Sequence, residues 1–368
     1  MKKLGFGFMR LPVMDGDWKK IDIEMVKKMV DIYMERGFTY FDTAYVYHEG
    51  LSENALKQTV VDRYPRESFA IADKLPIFSM NSADDYQRYF DEELSRCGVE
   101  YFDYILLHAI GKDLYSKPFI AKDGFEFIAK IKAEGKAKNV GFSFHDSAEL
   151  LDTILTEHPE VDFVQLQINY VDWEDDNVQS RLCYEVATKH NIPVIVMEPV
   201  KGGDLANVTA EADKLFKEYH PDMSTASWAV RYAASFENVF MVLSGMSNLE
   251  QLLDNTSYME EFAPLNDTER GIISKVEDIV RNSIAIPCTA CKYCVEGCPQ
   301  NIPIPDYFAL YNKQSQFGLT QAYRDRYAEL ISSAGKASDC ISCGQCEQHC
   351  PQHLSVAELL RDVAEKFE

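Results

Sequence analysis

The chain has 368 residues, 46% of them hydrophobic and 26% charged, which suits one large globular domain and a small one. Its formal net charge of -22 excludes the basic stripe that nucleic acid requires and disfavours an anionic membrane surface. No apolar run approaches the length of a bilayer span, and the start, MKKLGFGFMRLP, lacks the apolar centre of a signal peptide, so a cytoplasmic protein is expected.

From Leu4 to Ser244, short apolar segments alternate with longer amphipathic ones. Strands are expected at KLGFGF, TYFD, FAIAD, YILLH, NVGFS, FVQLQ, VIVM and FMVLS, and helices over stretches such as 22–37, 52–63, 82–98 and 180–191. Strand and helix alternating over about 250 residues predict an α/β chain folded as a (β/α)8 TIM barrel rather than an open doubly wound sheet. No G-x-G-x-x-G opens a helix, since GFGFMRL continues as strand, which removes the Rossmann-fold alternative. Barrel chemistry collects at the C-terminal rim of the strands. The second strand runs into Asp42 and then Tyr47, the third ends at Asp73-Lys74 and the fourth at His108. These titratable groups are expected at one mouth. The stretch after His108, AIGKDLYSKPFIAKDG, is a rim loop suited to shaping substrate choice.

FDTAYVYHEG, IADK and YILLH resemble the aldo-keto reductase family, whose catalytic tetrad of Asp, Tyr, Lys and His falls on strands two, three and four. The matching residues are Asp42, Tyr47, Lys74 and His108, and the likeness covers about residues 3–260. A carbonyl that accepts a hydride gains negative charge on oxygen and needs a proton donor. The resemblance makes Tyr47 that donor, with its pKa lowered by Lys74, Asp42 holding the lysine, and His108 as a second donor to the oxygen.

The same resemblance implies cofactor contacts. NVGFS and SGMSNLEQLLDN are similar to the family's later cofactor-binding segments, bringing in Ser143, Gly245, Gln251 and Asn255, with Gln167 favoured over Gln165 on QLQINY. Many members stack a nicotinamide on tyrosine after strand seven and grip the NADP phosphate with cations after strand eight. Here Met197 stands about where the tyrosine would be, Gly245 and Gln251 about where the cations would be, and Phe144 where an amide is common. The cofactor is therefore expected to be NAD(P)H, with flavin open as the alternative.

After residue 265 the pattern changes to loops and helices around cysteine. Eight of the ten cysteines lie in CTACKYCVEGCP and CISCGQCEQHCP, leaving Cys97 and Cys183 alone. A disulfide scaffold would be short, secreted and dispersed, so metal is the better reading. The spacing is that of ferredoxin-type [4Fe–4S] sites, in which the last cysteine of each run ligates the other cluster. Two clusters are expected, one on Cys288, Cys291, Cys294 and Cys350, the other on Cys340, Cys343, Cys346 and Cys298. Paired zinc sites are the alternative, disfavoured because three cysteines at three-residue steps precede Cys-Pro twice. IPDYFALYNKQSQ and TQAYRDRYAELISSA read as helices, resembling α-helical ferredoxin modules, and SVAELLRDVAEKFE as a closing helix capped by Ser355.

The domain expectation is a barrel over 1–265 and a two-cluster module over 266–368. The functional expectation is an oxidoreductase interconverting a small carbonyl and alcohol and exchanging electrons with a redox partner protein. A flavin-using reductase and a non-catalytic electron-transfer subunit are the alternatives.

Overall fold

The structure is a computed structural model and describes residues 1–295, 297–317 and 320–368. Eight strands, β1 (Leu4–Gly7), β2 (Tyr40–Asp42), β3 (Ala70–Leu75), β4 (Phe102–Ile110), β5 (Ala137–Phe144), β6 (Phe163–Gln167), β7 (Val194–Met197) and β8 (Val239–Ser244), form a closed parallel barrel. Closure is made by β8 returning to β1, with Gly5 opposite Leu243 and Phe6 opposite Ser244. The main helices are α1 (Ile23–Glu35), α2 (Ser52–Leu56), α3 (Asp85–Cys97), α4 (Asp123–Ala133), α5 (Ala148–Glu157), α6 (Ser180–Lys189), α7 (Ala210–Tyr219), α8 (Thr225–Ala234), α9 (Leu249–Met259), α10 (Asp267–Ser283), α11 (Ile304–Phe317), α12 (Gln321–Ile331) and α13 (Val356–Phe367). Among the described residues no helix is long and apolar enough to cross a membrane.

Side chains alternate along a strand, so one parity of each run points inward. Tyr40, Ala70, Ala72, Leu106, Phe163, Ile195, Met241 and Leu243 fill the interior as one buried cluster. Small alanines on β3 leave room for the rings of Tyr40 and Phe163. The same parity, continued to the strand ends, carries Asp42, Lys74, His108, Gln165, Gln167 and Met197. The barrel core thus aims these six toward one mouth. Gly141 lets β5 approach β6: a Cβ there would lie 2.3 Å from the Phe163 carbonyl oxygen. Tyr33 ties α1 to the barrel by donating to the carbonyls of Leu4 (2.6 Å) and Tyr40 (2.9 Å).

Two compact units emerge, Met1–Pro199 with Ala226–Leu265, and Val200–Thr225 with Asn266–Glu368. Val200–Thr225 is thus grouped with the second unit. The physical reason is local packing: α7 lies along α10, with His220 against Glu269 (3.1 Å), and a Cβ at Gly202 would lie 2.6 Å from the Thr289 carbonyl oxygen. The core of the second unit includes Ile286, Ile302, Tyr307, Phe308, Leu360, Val363 and Phe367 around Cys294 and Cys346. Asn312 clamps the segment before the first cysteine, accepting from the Ile286 N–H (2.8 Å) and donating to its carbonyl (2.7 Å).

Two local expectations change. The helix expected over 52–63 gives way after Leu56 to a wider turn over Lys57–Val61, where the Thr59 hydroxyl donates back to the Ala55 carbonyl. Ser355 sits at the start of α13, but its side chain makes no capping bond. A carboxylate oxygen of Glu347 accepts the Ala357 N–H instead.

Candidate active site and cysteine sites

β2 and β3 end side by side, so Asp42 and Lys74 meet across adjacent inward positions. The Lys74 ammonium donates to both carboxylate oxygens of Asp42 (2.7 Å each) and to the Thr43 carbonyl (2.6 Å), with the lysine fully buried. Its Nζ also lies 4.9 Å from the centre of the Tyr47 ring, and that ring meets His108 edge-on at 6.1 Å. All four sequence-expected residues are buried in this one place.

Tyr47 arrives on a tight turn in which His48, Glu49 and Gly50 have φ of 51°, 54° and 85°. Left-handed backbone at consecutive non-glycine residues needs surrounding support. The imidazole of His48 accepts the Leu11 N–H at Nε2 (3.3 Å), which leaves Nδ1–H to donate to the Trp18 carbonyl (2.8 Å), and the Trp18 ring stacks on it at 4.2 Å. Thr43 and Ser52 share a buried hydroxyl bond of 2.7 Å beneath the turn.

The electrostatics correct one expectation. Burial, then Asp42, Glu198 and Asp73, holds the Tyr47 phenol well above its ordinary range, with Arg10 pulling the other way. Lys74 is saturated by Asp42 and Thr43, so it does not produce the lowered value expected. Burial pushes the Asp42 carboxyl up against the pull of Lys74. Burial, with Lys74 and His145 beside it, holds His108 well below its usual value, so it is a neutral imidazole. The mouth therefore presents two neutral donors.

The remaining expected contacts divide. Gln165 is buried, its amide nitrogen 3.4 Å from the Met197 sulfur, and its amide oxygen has no hydrogen-bond partner among the described residues. Gln167 pairs opposite Met197 in the sheet and donates to Asp172 (2.7 Å). Ser143 accepts the Ala109 N–H (2.7 Å), anchoring the residue after His108, which has a φ of 59°. Asn255 donates to the Ser244 hydroxyl (2.7 Å), while exposed Gln251 accepts the Ser247 N–H (2.7 Å). Both hold the turn after β8. Gly245 abuts Arg10, whose stem would lie 3.0 Å from a Cβ there. Arg10 and Glu198 were missed in the sequence, because neither ends an expected strand on the inward parity. The signal available was a lone arginine in GFGFMRLP.

In the second unit, Cys298, Cys340, Cys343 and Cys346 line one small hollow, walled by Ile302, Ile304 and Leu360. Cys294 is pushed up by burial and then by the neighbouring thiols of Cys291, Cys288 and Cys350. All eight cysteines are thiols rather than disulfides. The two runs therefore interleave, each contributing its last cysteine to the other's group.

The sequence profile of the Aldo/keto reductase family matches residues 3–278, and that of the 4Fe-4S dicluster domain matches residues 287–354. The 9,11-endoperoxide prostaglandin H2 reductase of Trypanosoma cruzi is 26% identical over 201 residues, 52% of this chain; the chain spans 63% of that relative's length. An aldo-keto reductase from Bacillus halodurans, in its holo form, superposes with a TM-score of 0.61 at 22% identity, covering 74% of this chain and 91% of that one. An aldo-keto reductase from Klebsiella pneumoniae in complex with NADPH gives 0.60 at 17% identity, covering 75% and 90%. The last two are likenesses of fold.

Proposed function

The chain belongs to the aldo/keto reductase family, and on that premise we propose that it interconverts a small carbonyl and its alcohol with a nicotinamide cofactor, while its C-terminal module carries two [4Fe–4S] clusters that exchange electrons with a partner protein. The observation that carries this reading is the assembly of Asp42, Lys74, Tyr47 and His108 at one mouth with the phenol held protonated.

The residues fit a nicotinamide. The buried amide oxygen of Gln165 offers an acceptor, and Met197 offers a polarisable flat contact, beside the paired Gln167. Ser143, Gly245, Gln251 and Asn255 would shape the cofactor channel from β5 and the turn after β8. The nicotinamide, when bound, supplies a hydride to carbon. Tyr47 then donates its phenolic proton to the carbonyl oxygen as negative charge grows there, and His108 donates an N–H to the same oxygen. Asp42 keeps the Lys74 ammonium charged and held 4.9 Å from the centre of the Tyr47 ring.

The cysteines likewise fit clusters, since four thiols face one hollow and three more gather around Cys294. Cys288, Cys291, Cys294 and Cys350 would hold one, and Cys298, Cys340, Cys343 and Cys346 the other. Each cluster passes single electrons.

Carbonyl turnover with NADH and NADPH tests the proposal. Tyr47→Phe should lower kcat by about 10²–10⁴ with the melting temperature unchanged. Undiminished turnover in that variant would overturn Tyr47 as the acid. Failure of both nucleotides to bind more tightly than about 1 mM would overturn the nicotinamide reading, and flavin released on denaturation would replace it.

A further inference from the structure

On the far side of β3 from the barrel interior, four groups lie buried together that the proposed reaction does not use. Asp73 points outward because Lys74, its neighbour, points inward. Glu53 comes from α2, and Glu93 and Cys97 stand one turn apart on α3. All four are fully buried. The ligand atoms of Glu53, Asp73 and Cys97 lie within 4.8 Å of one another, and the Cys97 sulfur is 3.4 Å from an Asp73 oxygen.

Glu93 is the independent sign. Neither of its carboxylate oxygens has a hydrogen-bond partner among the described residues, and the same holds for Oε1 of Glu53. Glu93 stands four residues before Cys97 and so on the same face of α3, where its charge bears on Asp73, Glu53 and Cys97. The guanidinium nearby, Arg96, reaches only Oε2 of Glu53 (3.0 Å), and Lys74 gives Asp73 only its backbone N–H (2.9 Å). A buried carboxylate without a partner is expensive, and so is a buried acid whose hydroxyl finds no acceptor. A cation removes both penalties. The donors are three carboxyl groups and a thiol, a set that favours zinc over the purely oxygen-seeking magnesium or calcium.

We propose that Glu53, Asp73 and Cys97, with Glu93 as fourth ligand, form a buried structural site for a zinc-class divalent cation. Tetrahedral zinc with bonds of about 2.0–2.3 Å needs ligand atoms about 3.3–3.8 Å apart; the Cys97–Asp73 pair is already at that spacing, Glu53 lies within 4.8 Å of both, and Glu93 turns in to complete the set. The ligands enter ionised, so the thiol and the protonated carboxyls release their protons as the metal enters. The ion staples α2, β3 and α3 together and fixes the strand that delivers Lys74. It is a positioning site, independent of which substrate or cofactor the mouth takes.

The test uses the full chain with its clusters loaded, folded with zinc in excess. Anomalous diffraction on either side of the zinc edge should show one zinc bounded by these four residues, absent in Cys97→Ser. In solution, zinc should raise the melting temperature of the native chain but not of Cys97→Ser or Glu93→Gln, whose cluster absorbance is unchanged. No zinc peak at this place, or an equal rise in all three chains, would overturn the proposal and leave the four groups holding protons alone.

Discussion

Lys74 is the side chain on which the mouth depends, because its ammonium satisfies Asp42 at two oxygens and closes the Thr43 carbonyl as well. Removing it strands a carboxylate that solvent cannot reach. Lys74→Met should therefore destabilise the barrel by about 3–5 kcal/mol, far beyond a surface ion pair. The urea midpoint reports this, and a loss under about 1 kcal/mol would show that Asp42 is relieved in some other way. Asp42, Lys74 and His108 could be placed from the apolar runs that carry them, whereas Tyr47 lies on the turn five residues past the end of β2. The protonation of Tyr47 was not legible, since it follows first from how completely the folded chain buries the phenol and then from the acids around it. Arg10 and Glu198 act on the phenol from outside those strand ends.

The layer formed by β3, α2 and α3 carries its own pH dependence when free of metal. Burial, then Asp73, pushes Glu53 up to about 9, and burial pushes Asp73 up to about 6, from ordinary values of 4.5 and 3.8. The folded state then binds more protons than the unfolded chain, so stability falls as pH rises toward those folded values. His108 has the opposite sign: its lowered value makes stability rise with pH, but only up to its ordinary 6.5. Between about pH 6.5 and 9 the decline belongs to the acids. Denaturation midpoints should fall across that window in metal-depleted protein and fall less steeply in Glu53→Gln, where Glu93, also pushed up by burial, still holds its proton; midpoints that rise would refute the assignment. This layer was invisible in the sequence. Its members are scattered, and the acids of DEELSRC read as solvent-facing residues of an amphipathic helix. The strands themselves were visible, because parallel strands buried on both faces read as unbroken apolar runs. Where β5 meets β6 the fit leaves no room for even a methyl group. Gly141→Ala should destabilise by about 1–3 kcal/mol or more by prying the pair apart at the Phe163 carbonyl, whereas an unchanged melting temperature would mean the strands can separate freely.

At the scale of the whole molecule, the second unit was legible in its cysteines but not in its extent. Val200–Thr225 reads in sequence as one more crossover of the barrel, and only the contacts of α7 with α10 reassign it. Cluster content should expose the interleaving of the two runs. Cys298→Ala removes a residue of the first run, yet it should deplete the cluster of the second, reducing iron from about eight atoms to about four while the spectrum of the other cluster persists. Loss confined to the first run's cluster would refute the crossed assignment.

The crossing has a consequence for how the protein is made. Cys298 reaches the hollow of Cys340, Cys343 and Cys346, so neither cubane can be completed until the second run has been synthesised and has folded back. Under the proposed assignment, a ribosome-bound chain ending between the runs holds three of the four thiols of one cluster and a single thiol, Cys298, of the other. On that assignment, iron delivery to either site waits for the second run. Once both clusters form, they clasp the stretch between the runs at two points, and breaking either one leaves the other to keep that loop closed.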